Sequence, residues 1–332
     1  MVVSVRDVAE RASVSVGTVS NVMNHPEKVS DAVVARVQAA IDELGFIRND
    51  AARQLRDGRS KTIGLVVLDV RNPFFTDIAR GAEDRAADAG LSVTLGNSDE
   101  NTAREATYLD LFEQQRVHGV LLSPYADIDE RLHRLRKRGI PVVLVDRTSA
   151  DASFSSVSVD DVAGGRLAVE HLIAQGRKRI AFIGGPLAIR QVADRLEGAR
   201  RGVAVGGATL EIVEIEALSV IAGREAGAKI AARTERPDAI FAANDLVAMG
   251  VLQALMMQGA DVRVPHDIAL IGYDDIDFAS AAVVPLSSIR QPAALIGATA
   301  VEILLDEAAS PDAVARQVVF QPELVVRAST SQ

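Results

Sequence analysis

Six polar side chains occupy positions where a binding site could form at the edge of a parallel sheet. Five of them directly follow a run of apolar residues, and the sixth opens the helical stretch after the run that ends in Gly184-Gly185-Pro186. Carboxylates and amides can bond two neighbouring hydroxyl groups, and a guanidinium suits a ring oxygen or a carboxylate. This set is typical of sugar recognition. Its members are Asn72, Asp146, Arg147, Asn244, Asp274 and Arg195.

Each of these residues alone also has a plain structural explanation. Asp and Asn often begin loops or cap helices after strands, and Asp245 in particular is predicted to be a helix cap. The case for a site therefore depends on the elements that bring the set together. Apolar runs alternate with helical stretches from Lys61 onward, which predicts parallel sheet. The runs are 63–70, 91–98, 119–124 and 141–147, then 179–186, 211–216, 239–245 and 268–275.

The two series predict two doubly wound α/β lobes in tandem with a cleft between them. Ligands of such sheets bind beyond the carboxyl ends of the strands, which is where the polar set begins. An enzyme is not expected, because the sequence contains neither a nucleotide-binding G-x-x-x-x-G-K-[ST] motif nor a dinucleotide fingerprint after a strand. No metal site or cofactor is expected either, since there is no cysteine and the five histidines are scattered without ligand spacing.

Composition predicts a multidomain cytoplasmic protein. A chain of 332 residues with 48% apolar residues can bury more than one core. We expect no membrane association and no export, because no apolar run is long enough to span a bilayer and the amino end lacks a signal pattern. The net charge is −9, yet residues 1–60 carry eight basic and eight acidic residues. A neutral head on an acidic body fits a DNA-binding head, although charge alone is weak support.

Residues 4–44 predict three short helices. Ser4, Ser15 and Ser30 are candidate amino-terminal caps, and Gly45 ends the third helix. Two short helices joined by a tight turn and braced by a third form a helix-turn-helix arrangement, in which the second helix enters the major groove of DNA. Other small three-helix modules share this pattern, so spacing alone leaves that alternative open.

The predicted second helix presents two groups of candidate DNA contacts. Val16, Gly17 and Asn21 would face base edges, where the amide of Asn21 can bond adenine and Val16 can touch a thymine methyl group. Because Val16 and Gly17 offer no side-chain hydrogen bond, discrimination at their bases is expected to be modest. The candidate DNA-binding set also includes the three caps and the proposed phosphate contacts Thr18, Ser20 and Asn24.

The stretch VRDVAERASVSVGTVSNVMNHPEKVS, with VQAAIDELGFIRNDAARQL after it, resembles the head and hinge of the lactose and purine repressor family (LacI/GalR). The resemblance continues through the whole chain. It implies a homodimeric repressor that binds a pseudo-palindromic operator and responds to a small effector. It also implies a hinge helix that orders only on DNA and inserts a leucine into the minor groove; a leucine packed on the body is the alternative. By position, the hinge residues are Asn49, Ala52, Arg53 and Leu55.

The motifs NPFF (72–75), VDR (145–147), AND (243–245), GYD (272–274) and RQP (290–292) are similar to those of pentose- and hexose-binding periplasmic proteins and related repressors. The resemblance implies that Phe74 and Phe75 stack on a sugar ring and that Gln291 joins the six polar residues in bonding its hydroxyls. Many of these sites place another aromatic wall near Leu218, where this chain has no aromatic residue. Leu218 is therefore expected to cover an apolar ring face.

The resemblance also implies that the chain crosses between the lobes near Val159, Arg290 and Gln321. The predicted domains are a head (1–46), a hinge (47–60), a first lobe (61–159 and 290–320) and a second lobe (160–289 and 321–332). The predicted function is an allosteric, DNA-binding transcriptional repressor controlled by a sugar or sugar derivative. A purine- or nucleoside-responsive repressor is the main alternative; a sugar transport protein and an α/β enzyme are weaker ones. The effector could either release or promote DNA binding.

Overall fold

The computed structural model of the protein describes residues 3–46, 60–125, 129–149, 151, 153–257, 262–310 and 313–331. The chain divides into two compact units, a head that ends at Arg59 and a body that begins at Ser60. Within the described ranges, no helix combines the length and the apolar character needed to cross a membrane.

The head consists of three helices, α1 (Val5–Arg11), α2 (Val16–Asn24) and α3 (Asp31–Leu44), with a 3-10 turn at Pro26–Lys28 before α3. Gly45 ends α3 in the left-handed conformation, at φ 60°, as its predicted role as a stop requires. The helices enclose one small apolar core, so the head is a folded unit with its own interior. Its buried residues are Val8, Ala9, Ala12, Val19, Val22, Val37 and Ala40.

Two of the three predicted caps in the head form the expected hydrogen bond. The Ser4 hydroxyl accepts from the Asp7 amide, and the Asp7 carboxylate accepts in return from the Ser4 amide at 2.7 Å. Ser15 Oγ accepts from the Thr18 amide at 3.0 Å. Ser30 occupies the cap position of α3, but its side chain makes no capping hydrogen bond, so that part of the prediction is wrong.

The first sheet of the body is parallel throughout, in the order β11-β5-β4-β3-β1-β2. With the helices that cover it, we call this sheet the first lobe. Strands β1, β3 and β4 are almost continuously buried, as the apolar runs predict. The strands are β1 (Thr62–Val67), β2 (Ser92–Asn97), β3 (Gly119–Leu122), β4 (Val142–Val145), β5 (Ser155–Val159) and β11 (Gln317–Phe320).

The second sheet has the order β12-β10-β9-β8-β6-β7 and is parallel except for β12, which pairs antiparallel with β10. This sheet and its helices form the second lobe. The strands are β6 (Arg179–Gly184), β7 (Thr209–Glu214), β8 (Ala239–Ala242), β9 (Ala269–Asp274), β10 (Ser287–Arg290) and β12 (Glu323–Val325).

Nine helices of the described body cover the two sheets, and one apolar cluster extends through the core of both lobes. The helices are α4 (Pro73–Asp88), α5 (Thr102–Gln114), α6 (Asp129–Lys137), α7 (Asp161–Ala174), α8 (Arg190–Gly206), α9 (Val220–Ala231), α10 (Asp245–Met257), α11 (Asp277–Ala281) and α12 (Ala293–Ala309).

The chain passes between the sheets three times. Strand β5 ends at Val159 in the first sheet before the chain enters the second lobe, and after β10 the chain returns as α12, which packs on α4. That packing depends on glycine, because a Cβ at Gly297 would lie 2.0 Å from the carbonyl oxygen of Ile78. The last passage separates β11 from β12 by only two residues. The carboxyl ends of both sheets are thereby held together.

Four strands of the two sheets do not correspond to any of the predicted apolar runs. β5 reads SSVSV, and its three serines are buried, with Ser155 Oγ bonded to the Glu307 carboxylate and Ser156 Oγ to the Gln317 side chain. β10, β11 and β12 are short and partly polar. Hydroxyl groups that find partners only after distant segments pack leave no apolar run in the sequence.

Candidate functional site

A cavity of about 440 Å³, including space open to solvent, lies where loops of the two sheets meet. Strands β1, β4 and β9 end at or next to lining residues, and β8 ends two residues before Asn244, so the position follows the rule for open parallel sheets. Most of the predicted effector residues line this cavity. They are Asn72, Phe74, Phe75, Asp146, Arg195, Leu218, Asn244 and Asp274.

Asn72 and Asp274 join the two lobes across the cavity. Asn72 lies beyond β1 and caps α4, because its Oδ1 accepts from the Phe74 amide at 3.1 Å. Its Nδ2 donates to Asp274 Oδ2 at 2.9 Å, at the end of β9. The other carboxylate oxygen of Asp274 accepts from Gln291 Nε2 at 2.8 Å. Gln291 itself is not among the described lining residues, so the structure places it behind Asp274.

Asp146 and Gln191 form a second connection between the lobes. Gln191, in the first turn of α8, donates through Nε2 to the Asp146 carbonyl at 2.6 Å and to Asp146 Oδ2 at 2.9 Å. Asp146 is 3% exposed, and its Oδ1 has no hydrogen-bond partner among the described residues. The sequence analysis missed Gln191. Its position one helical turn before Arg195 was the available signal, since residues four apart share a helix face.

Arg195 is buried with its charge already paired. Its Nε donates to Asp161 Oδ1 at 2.8 Å, and its Nη1 donates to the carbonyl oxygen of Ala243 at 2.8 Å. The guanidinium carbon also lies 3.8 Å from the centre of the Tyr273 ring, a cation–π contact. Nη1 is farther from Asp274 Oδ1, at 3.8 Å. The sequence analysis missed Asp161 and Tyr273, which both hold Arg195 in place.

Burial controls the electrostatics of the cavity. Desolvation raises the pKa of Asp146 well above its ordinary value, and repulsion from Asp161 and Asp274 adds to the effect, while Arg195 opposes it. Desolvation also raises the pKa of Asp274, although Arg195, Asn72 and Gln291 lower it. A hydroxyl that donates to either carboxylate would stabilise its charged form.

Both carboxylate residues adopt backbone conformations that are uncommon without glycine. Asp146 has φ 60° and Asp274 has φ 100°, and Asp275 follows at φ 56°. Such conformations cost free energy and persist where the surrounding structure holds them. Here the Gln191 bonds hold the first carboxylate, and the Asn72 and Gln291 bonds hold the second.

The structure assigns the capping role predicted for Asp245 to its neighbour Asn244. Asn244 caps α10, because its Oδ1 accepts from the Val247 amide at 2.9 Å. Asp245 is fully buried and does not cap; its carboxylate accepts from Ser288 Oγ at 2.7 Å and from the Ile276 amide at 2.9 Å. The Asp245 carboxylate thus ties β10 to the loop after β9. Asn244 still lines the cavity, and its Nδ2 donates to the carbonyl oxygen of Leu218 at 3.5 Å.

Of the remaining predicted effector residues, Phe74 and Phe75 line the cavity and Arg147 does not. Phe74 and Phe75 pack edge to face, with ring centroids 5.2 Å apart. Arg147 is half-buried and is not among the described lining residues; its charge opposes the rise in the pKa of Glu105 that burial causes. The structure adds further lining residues that the sequence analysis did not identify, namely Leu68, Asp69, Glu100, Ile189 and Val192.

In the head, Val16, Gly17 and Asn21 are exposed on α2. The three predicted phosphate contacts are partly engaged within the head. The Thr18 hydroxyl bonds the Ser15 hydroxyl at 2.9 Å, and Asn24 Nδ2 donates to the carbonyl and hydroxyl oxygens of Ser20. The predicted hinge residues lie outside the described residues. They are Asn49, Ala52, Arg53 and Leu55.

Comparison with known proteins supports both parts of this arrangement. Residues 4–49 match the family model for bacterial regulatory proteins of the lacI family, and residues 169–330 match a periplasmic binding protein-like domain. The chain is 34% identical to the HTH-type transcriptional repressor PurR of Photobacterium profundum, over 98% of each chain. It is also 34% identical to the ribose operon repressor of Escherichia coli (strain K12), over 98% of this chain and 99% of that one. The chain belongs to the LacI family.

Solved structures of LacI-family proteins share the fold. The Lac repressor dimer bound to operator and the anti-inducer ONPF matches with a TM-score of 0.86 at 29% identity, over 100% of both chains. A LacI-family regulator from Enterococcus faecium with bound ribose matches with a TM-score of 0.74 at 28% identity, over 81% of this chain and 98% of that one. This LacI-family protein is therefore a DNA-binding repressor with an effector-binding body, and not an enzyme. The predictions of the family, the fold class and a DNA-binding repressor with an effector-binding body are confirmed.

Proposed function

We propose that this LacI-family repressor binds a pseudo-palindromic operator as a homodimer and is controlled by a sugar of pentose or hexose size. The observation that carries the choice of a sugar is the cavity itself, in which Asp146, Asn244 and Asp274 present polar atoms beside Phe74 and Phe75. Vicinal hydroxyls suit carboxylates and amides, and the apolar side chains suit a ring face. The ribose held by the Enterococcus faecium relative supports the same class.

The proposed effector contacts divide into direct and supporting groups. Asp146, Asn244 and Asp274 would bond hydroxyls directly, whereas Gln291 would act through Asp274, to which it donates. Arg195 would present one edge of its guanidinium while Asp161 holds the other. Phe74, Phe75 and Leu218 would cover the ring, and Asn72 would contact it beside Asp274. Arg147 would contribute only if the loop after β4 moves, because it does not line the cavity here.

We propose that α2 reads the operator. Val16, Gly17 and Asn21 are exposed on one helix, which supports contact with base edges. Ser15 and Thr18 bond each other at the start of α2, and this pair would approach the phosphate backbone with Ser20. Asn24 would do so only by exchanging its bonds to Ser20. Ser4 and Ser30, at the starts of α1 and α3, complete the proposed DNA-facing set.

We further propose residues 47–60 as the hinge, with Asn49, Ala52 and Arg53 around a Leu55 that inserts into the minor groove. The proposed lobes are 61–159 with 290–320, and 160–289 with 321–332. Closure of the lobes around the effector would change the spacing of the two hinges in the dimer, which couples effector binding to DNA binding. Because the protein acts on DNA, we place it in the cytoplasm.

The test combines operator binding, assembly state and a ligand screen on the full-length protein. Gel shifts with fragments upstream of its own and neighbouring genes should show saturable binding to a pseudo-palindrome, and light scattering should show a dimer. L55A should weaken specific binding much more than nonspecific binding. Thermal shifts should identify a free pentose or hexose that also changes operator affinity. A monomer that binds every fragment with the same salt-sensitive affinity would contradict the proposal. If only nucleosides change operator affinity, the effector is a nucleoside and not a sugar.

A further inference from the structure

The charges around the cavity are strongly asymmetric. Four lining residues carry carboxyl groups and only one described lining residue is cationic. Two of the carboxyls, Asp146 and Asp274, are buried at the strand ends, and the other two, Asp69 and Glu100, lie in the loops after β1 and β2. Carboxyl groups in this arrangement accept hydrogen bonds from donors, and each one that is ionised repels an anion.

The single lining cation is already neutralised. Arg195 is 4% exposed, is paired with Asp161 at 2.8 Å and directs a second donor to the Ala243 carbonyl. Proteins that bind phosphate usually present unpaired Arg or Lys groups or free helix amides to it. Arg195 has no uncompensated charge to present.

The loop carboxyls add a second repulsive group. Burial raises the pKa of Glu100, and the neighbouring Asp69 and Asp99 raise it further, while Arg71 opposes the rise. Arg71 offsets Asp69, with which it pairs at 2.9 Å, but its guanidinium is exposed and also pairs with Asp99 at 3.1 Å, and no described ion pair joins it to Glu100. An anionic group placed beside Glu100 would meet like charge.

One feature of the cavity favours an anion. The amino terminus of α8 carries no side-chain cap, and Ile189, Gln191 and Val192 at this end line the cavity. A helix amino terminus carries partial positive charge. However, Gln191 holds the Asp146 carboxylate at this end of the helix, so a negative charge already balances it.

The unsatisfied polar atom in the cavity is also an acceptor. Asp146 Oδ1 is buried and has no hydrogen-bond partner among the described residues, while Oδ2 accepts from Gln191. A buried carboxylate oxygen requires a donor, which a hydroxyl supplies and a phosphate dianion does not. We infer that the effector is an uncharged, hydroxyl-rich molecule and that the cavity excludes its phosphate ester. This inference rests on the proposed function, because it assumes that the cavity binds the effector.

The experiment compares matched neutral and phosphorylated compounds on the full-length repressor by calorimetry. The pairs are D-ribose and D-ribose 5-phosphate, D-glucose and D-glucose 6-phosphate, D-fructose and D-fructose 1-phosphate, and adenosine and AMP, with inorganic phosphate as a further probe. We expect a neutral member to bind at least about tenfold more tightly than its ester, since each ester adds up to two negative charges beside partly buried carboxylates. The inference is overturned if an ester binds as tightly as its neutral partner or more tightly. It is also overturned if inorganic phosphate binds, or if no neutral compound binds.

Charge variants test whether the loop carboxyls cause the discrimination. For the pair of compounds that binds, E100Q should raise the ratio of ester affinity to neutral-compound affinity by about fivefold, because one repulsive charge is removed. The matched control is E170Q on α7, where Glu170 is partly exposed and paired with Arg166 at 3.1 Å. It changes the net charge equally and should leave the ratio unchanged. Equal ratios in wild type, E100Q and E170Q would overturn the role of Glu100.

Two outcomes separate this inference from the proposed function. If adenosine binds and the sugars do not, the proposed sugar is wrong while the exclusion of the phosphate ester stands. If a sugar phosphate binds best and changes operator affinity, the repressor is sugar-controlled while the inference is wrong. Specific operator binding, measured on the same preparation, reports the DNA-binding function independently of both.

Discussion

Gln191 donates two hydrogen bonds to Asp146, one to the main-chain carbonyl at 2.6 Å and one to the carboxylate at 2.9 Å. Asp146 follows a strand of the first sheet, and Gln191 begins a helix of the second lobe. The Asn72–Asp274 bond at 2.9 Å makes a parallel connection. The groups that the effector would use therefore also hold the two lobes together, so binding and lobe closure share the same atoms.

Removal of the Gln191 amide should destabilise the body. Q191L leaves a buried carboxylate and carbonyl without their donor, which should lower the free energy of unfolding by about 2 kcal/mol in urea titrations. The control is Q253L on the exposed face of α10. It makes the same change in side chain and should stay within about 0.5 kcal/mol of wild type. A loss in Q191L no larger than that in Q253L would contradict this role of Gln191.

The stability of the body should depend on the ionisation of Asp146. Burial, with Asp161 and Asp274, raises the pKa of this carboxyl despite Arg195. Between about pH 4 and the raised pKa, the folded state binds more protons than the unfolded state, so the free energy of unfolding should fall as pH rises. D146N should reduce that fall, as measured by urea midpoints from about pH 4.5 to 7.5. The control D306N, at an exposed position, should keep the wild-type dependence of unfolding free energy on pH. If D146N shows that same dependence, Asp146 is not its source.

Asp245 should prove structurally important through Ser288. The Ser288 hydroxyl donates to the Asp245 carboxylate at 2.7 Å and accepts from the Asp275 amide at 3.1 Å, next to Asp274. S288A should cost about 1–3 kcal/mol of unfolding free energy and weaken effector binding, because the loop that carries Asp274 loses its anchor. S280A is the matched control, since Ser280 is exposed and bonds only the Asp277 carbonyl of its own helix turn. Unchanged stability and affinity in S288A would argue against the anchor.

Operator specificity should depend on Asn21. The residue is exposed on α2 beside Val16 and Gly17, which offer no side-chain hydrogen bond. N21A should weaken specific operator binding by about 1–3 kcal/mol and leave nonspecific binding nearly unchanged, because an amide–adenine pair reads one base. The comparison variant is Q38A on α3, which removes an exposed amide that bonds Asp42. Fluorescence anisotropy at fixed salt measures both, and an equal loss on random DNA would exclude base reading.

Much of the architecture was predictable because it depends on local sequence. Serines at two helix starts, Gly45 in the left-handed conformation and apolar spacing predicted the head correctly. The apolar runs predicted four strands of each lobe; the central ones are buried on both faces and need continuous apolar residues, whereas β2 and β7 are partly exposed edge strands. β5 escaped detection because it is rich in serine, and two of its buried hydroxyls, on Ser155 and Ser156, bond side chains from the far end of the chain.

The sequence by itself determined the family, the two kinds of domain and the polar residues that follow the strands, since capping, periodicity and motif spacing are properties of neighbouring residues. Only the tertiary structure decided which hydrogen-bond partner each of those polar groups has. It paired Asn72 with Asp274, 202 positions away, added Gln191 beside Asp146 and placed Arg147 outside the lining. The physical reason is that a buried polar group takes its partner from whatever packing brings within about 3 Å, and that proximity does not follow sequence order.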